Sequence, residues 1–143
     1  MPVRAALICH HDEPLNRVAL ARWLASFTEL AAVIVIQEPP GRFRKRVRRE
    51  IQRVGLLRFL DVLAFRLYYR FQLAAHDRAW EQAQLESLMG RYPDLPSSCR
   101  VVDTPSPNSA EVLALLRELR PDIVIARCKT ILKKEVSVRP ITP

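Results

Sequence analysis

Apolar residues arrive along this chain in two rhythms, short unbroken runs and longer stretches at helical spacing. The runs are residues 4–9 (Arg-Ala-Ala-Leu-Ile-Cys), 30–36 and 123–126, and 99–103 reads as a further short strand. A run that is apolar on both faces suits a strand covered by helices on both sides, as in a parallel sheet. By that rule the last run, Ile123-Val124-Ile125-Ala126, is expected in the middle of the sheet. Between the first two runs, Val18, Leu20, Ala21, Leu24 and Phe27 share one helical face. That helix is expected to begin at Pro14, with Asp12 or Glu13 as its cap. Pro39-Pro40-Gly41 then stops the second strand.

The alternation breaks after that turn. Phe43, Val47, Ile51, Val54, Leu57, Leu60, Ala64, Leu67 and Phe71 recur every three or four residues with no proline between them. One long helix, or two bent near Gly55, sets them on one face and packs it internally. A further helix is expected over 77–89, closed by Gly90 and Pro93. Asn108 reads as the cap of a helix over 109–119, with Glu111 at its third position completing a capping box. Strand, helix, strand, helical insertion, strand, helix and strand make an α/β chain. It is expected to form one domain over 1–143, an open parallel sheet of about four strands with a long insertion over 42–90.

Charge changes the picture only locally. The net charge is +8, yet Arg42, Arg44, Lys45, Arg46, Arg48, Arg49, Arg53 and Arg58 face a single acid, Glu50, within 42–58. That stretch has three readings: a solvated face over an apolar stripe, a contact for RNA or another acidic partner, or a dock for an anionic surface. The apolar content of 49% argues against disorder. The longest apolar run, 30–36, is too short to span a bilayer. Cys9, Cys99 and Cys128 are odd in number and far apart, which predicts reduced thiols in a cytoplasmic protein.

Candidate chemistry gathers where strands end, because open α/β sheets bind ligands beyond the carboxyl ends of their strands. His10, His11, Asp12 and Glu13 follow the first strand and read either as pocket lining or as a polar loop with an acidic cap. Adjacent side chains diverge, and no ligands stand at helical spacing, so a metal is not expected. Arg127, Cys128, Lys129, Thr130 and Ile131 follow the last strand and are the candidate ligand-binding loop. Cys128 lacks a nearby general base in sequence, so a binding role is expected of it ahead of a nucleophilic one. Trp23 and Trp80 are expected in the core, and Tyr68 and Tyr69 half-buried.

Two local patterns carry a resemblance. One is Asn108-Ser109-x-Glu111 before a leucine-rich helix that ends in Leu119-x-Pro121-Asp122, and the other is the 123–126 run with Ile131-Leu132 soon after it. In these and in element order the chain resembles the N-terminal, Rossmann-like domain of the folate-dependent formyltransferases, which act on methionyl-tRNA, glycinamide ribonucleotide or sugar amines. The resemblance implies 10-formyltetrahydrofolate as cofactor, bound at Arg127, Cys128, Lys129, Thr130 and Ile131, and an amine-bearing acceptor of unstated identity. It matches no residue here to the family's catalytic Asn, His and Asp. The chain is thus expected to hold the cofactor side of an incomplete fold without its chemistry. The long basic helical insertion departs from the better-known members. The competing expectation is a non-catalytic basic module that binds RNA or an anionic surface through 42–58.

Overall fold

The computed structural model describes residues 2–37, 49, 51–53 and 55–137. The chain divides into two units, one of residues 1–38 with 85–143 and one of residues 39–84. The first holds a sheet of four strands, β1 (Arg4–His10), β2 (Glu29–Ile36), β3 (Arg100–Thr104) and β4 (Ile123–Arg127). Their order is β3-β2-β1-β4, and every neighbouring pair is parallel. From β1 the chain steps outward to β2 and β3, then returns to the other side of β1 as β4. The direction of winding therefore reverses between β1 and β4, at their carboxyl ends.

Helices cover both faces of the centre. The first, α1, is π-helical over Leu15–Leu20 and α-helical over Ala21–Ala25. Its Ala21 and Leu24 pack on Ala5, Leu7 and Cys9 of β1 and on Leu30, Val33 and Val35 of β2. Leu30 and Val33 share a face despite their odd spacing because the β1–β2 register slips by one residue between Ala5 and Ala6. On the opposite face Ala6, Ile8, Ile34 and Ile36 meet Val112 and Leu116 of a helix over Ala110–Leu119.

The 123–126 run does not lie in the middle. β4 pairs with β1 alone and forms an edge of the sheet among the described residues, leaving Ile123 47% exposed. β1 and β2 occupy the centre instead, and all their side chains from Ala5 to His10 and from Leu30 to Ile36 are buried. The four residues of the β4 run match a central strand in composition, so the pattern could not separate centre from edge.

Leu119-x-Pro121-Asp122 is a structural junction. Leu119 buries against Ala31 and Ala32. Arg120 turns left-handed (φ 47°) and donates its N–H to the Leu116 carbonyl (3.0 Å), ending the helix. Asp122 then accepts the Arg4 N–H on its carboxylate (2.9 Å) and returns its own N–H to the Arg4 carbonyl (2.7 Å), setting β4 in register with β1.

In the second unit, Gly55 takes φ 80° between helical residues 51–53 and α2 (Leu56–Tyr68), a conformation open to glycine. A π-helical stretch, Tyr69–Leu73, joins α2 to α3 (Ala74–Arg91), longer at both ends than the expected 77–89. Phe43, Val47 and Val54 lie outside the described residues. Leu60, Leu67 and Phe71, three members of the stripe expected to pack internally, are exposed. Tyr68, Tyr69 and Trp80 are also exposed rather than buried or half-buried. Trp23, in the first unit, stacks edge-on against Phe27 at 4.8 Å outside the core.

Candidate functional site

Both strands that flank the reversal end in polar residues, and the fold joins those ends. His10, the last residue of β1, is 3% exposed, and its Nε2 accepts the backbone N–H of Lys129 at 3.2 Å. The Lys129 ammonium reaches back to the Glu13 carboxylate (3.5 Å), whose other oxygen accepts from the Asn16 amide (2.7 Å). Neither Asp12 nor Glu13 caps α1: Pro14 occupies the cap position with no side-chain hydrogen bond, and Glu13 is engaged by Lys129 and Asn16. His11 diverges from His10 and places Nδ1 3.0 Å from the Arg17 guanidinium.

A third element closes on the same place. The expected cap, Asn108, donates its amide to the Ile131 carbonyl (2.9 Å) and accepts the Lys133 N–H on Oδ1 (2.8 Å). It serves the loop as a neighbouring strand would, filling one carbonyl and one N–H. Capping of the Ala110–Leu119 helix, named α4, falls instead to Ser109, whose Oγ accepts the Val112 N–H (3.3 Å). Glu111 then stands at the second helical position, and no capping box closes. Ser109 holds the extended backbone that a cap requires (φ −71°, ψ 155°). Two cap-type residues in succession leave one of them spare.

Of the five predicted site residues, Arg127 is the last of β4, and Cys128, Lys129, Thr130 and Ile131 lie between it and the short helix α5 (Lys134–Ser137). Arg127 ends the strand and is exposed, as are Lys129, Thr130 and Ile131, the last at 90%. Cys128 is half-buried against the core layer of Ile8 and Val112, and its Sγ–H donates to the Thr130 carbonyl (3.4 Å). Three groups of the loop are thus committed: the Lys129 N–H, the Thr130 carbonyl and the Ile131 carbonyl. The Thr130 and Ile131 N–H groups and the Cys128 and Lys129 carbonyls form no hydrogen bond among the described residues. Two acceptors followed by two donors are therefore left along a rim that carries Arg127 and Lys129. Cys9, one strand away, is held as a thiol: burial pushes it up to about 11, Arg17 opposes, and Glu13 and Cys128 add to the rise.

A second concavity lies on the α1 face of β2 and β3, an open groove of about 430 Å³. Val33, Val35, Leu95 and Val101 line it beside His11, Arg17, Asp94 and Asp103. Its wall is organised by Arg22, which donates to the carbonyls of Met89 (3.2 Å) and Tyr92 (3.4 Å) and pairs with Asp94. Sequence reasoning missed Arg17, Arg22, Asp94 and Asp103. The charged Arg100 and Asp103 within that short strand were the one available sign, since they mark a strand partly open to water. Most of the basic stretch, 42–48 with Glu50, lies outside the described residues, while Arg49, Arg53 and Arg58 are exposed.

No group of three or more His, Cys, Asp or Glu among the described residues could hold a metal ion. No helix among them is long and apolar enough to cross a membrane. A parallel α/β sheet with its polar loops gathered at the reversal of strand order defines a Rossmann-like architecture. No family model, no curated protein and no solved structure matches this chain.

Proposed function

We propose that this chain is the cofactor-binding part of a formyltransferase-like protein, with 10-formyltetrahydrofolate held by Arg127, Cys128, Lys129, Thr130 and Ile131. The observation that carries the reading is the loop's arrangement at the reversal of strand order. His10 and Asn108 fix its two ends, while N–H and carbonyl groups of its middle form no hydrogen bond among the described residues. A pterin-like ring presents adjacent donors and acceptors along one edge, which such a rim can meet with backbone groups alone. Arg127 and Lys129 suit the glutamate carboxylates of a folate. The bound cofactor supplies an electrophilic formyl carbon for an amine acceptor. The residues of this chain bind and orient it, and the family's catalytic Asn, His and Asp match none of them.

The test is equilibrium titration of the purified chain with 10-formyltetrahydrofolate and its stable 5-formyl isomer. Saturable binding that survives high salt and weakens in Asn108→Ala supports the reading. A basic chain attracts any polyanion, so binding that disappears with salt, or that Asn108→Ala leaves untouched, overturns it.

A further inference from the structure

The described side chains of α2 and of the π-helical stretch after it leave an apolar surface open. Of the eighteen residues from 56 to 73, thirteen are apolar or aromatic and only Arg58, Asp61, Arg66 and Arg70 are charged. Burying a large apolar side chain gains about 1.5–3 kcal/mol, yet no side chain described in this stretch is buried. Phe65 is 65% exposed and Phe71 75%. At 3.6 residues per turn Leu60, Leu63, Ala64 and Leu67 form one stripe. Arg66 and Arg70 flank that stripe on one side, and Tyr68 borders it on the other.

We propose that this helical surface docks on an anionic lipid bilayer, lying in the headgroup region. The charge balance selects this occupant. Three arginines against one aspartate make this apolar stretch cationic, with Arg66 and Arg70 beside the stripe, the combination that an interfacial helix uses. A second copy of the chain would bring the same arginines face to face, and like charges across an apolar contact oppose it. An RNA partner needs the arginines but leaves Leu60, Leu63, Leu67 and Phe71 in water. Arginine stems can lie along the acyl boundary while their guanidinium groups reach lipid phosphates, and tyrosine is suited to the same depth. Four charges within eighteen residues keep the helix on the surface rather than across it.

Vesicle flotation of the full chain tests this, using phosphatidylcholine alone and phosphatidylcholine with phosphatidylserine. The chain is expected to float with the mixed vesicles and to remain free with the neutral ones. Arg66→Gln with Arg70→Gln should weaken binding by roughly thirtyfold, from the loss of two cations near the surface. Arg66→Lys with Arg70→Lys should restore most of it. Leu67→Glu with Phe71→Glu should abolish binding while leaving the circular dichroism and the folate titration as in the unaltered chain. Equal binding to both vesicles, no flotation, or unchanged flotation of the glutamine variant overturns the proposal. So does a chain that dimerises and ignores lipid.

Discussion

At the scale of single residues, the centre of the sheet controls what its side chains can do. Cys9 lies among Leu7, Ala21 and Val35, where a thiolate would lose more through lost hydration than Arg17 returns. Its pKa rises from an ordinary value near 9 to about 11. The fold therefore prefers the neutral thiol, and the stability it contributes is present below about pH 9 and falls as pH rises toward about 11. Denaturant titrations of the chain and of Cys9→Ala across that interval should show the unaltered chain losing stability relative to the variant. Parallel pH profiles would sink the argument. A thiol reagent near pH 8 should likewise label half-buried Cys128 well before Cys9, which reacts only on unfolding. The sequence placed both cysteines at strand ends but carried no sign of this difference, which arises from central against edge position.

At the scale of elements, much of the secondary structure was legible because local pattern and tertiary burial agree there. β1 and β2 are unbroken apolar runs in both sequence and structure, and α4 was expected to within one residue. The misreadings fall where two residues compete for one role. Asn108 and Ser109 are both good caps, and the choice is made by a loop more than twenty residues away that only Asn108 reaches. The two side chains should therefore separate by experiment. Ser109→Ala removes a helix cap and should cost about 1 kcal/mol in urea unfolding. Asn108→Ala releases exposed groups that water can satisfy, so its cost should stay below about 1 kcal/mol while folate binding weakens. If Asn108→Ala proves the more destabilising of the two, the division of roles is wrong. The sequence pointed to the segment after β4 but carried no sign of its ties to His10 and Asn108, because both contacts are made only by the folded sheet.

At the scale of the whole chain, the sheet and the helical unit bury their apolar residues to very different degrees. Periodicity revealed the helices of the second unit but not whether their stripe meets protein, since a buried and an unpartnered amphipathic helix share one pattern. In the first unit, β1 and β2 are sealed between two helical layers, whereas β3 shows Val101 and Asp103 to the open groove and β4 pairs on one side only among the described residues. Local opening costs least where few apolar contacts must be broken, so amide exchange should rank these elements. Amides of Ala6, Leu7, Ile8, Val33 and Ile34 should exchange slowest, near the rate set by global unfolding. Those of β3 and β4 should follow, and those of 56–73 should lead, because none of the side chains described there is buried. Addition of anionic vesicles should slow 56–73 and leave β1 unchanged. Exchange from β1 as fast as from α2 would mean that the sheet is not the stable centre of the chain, and the loop fixed by His10 would lose its rigid support.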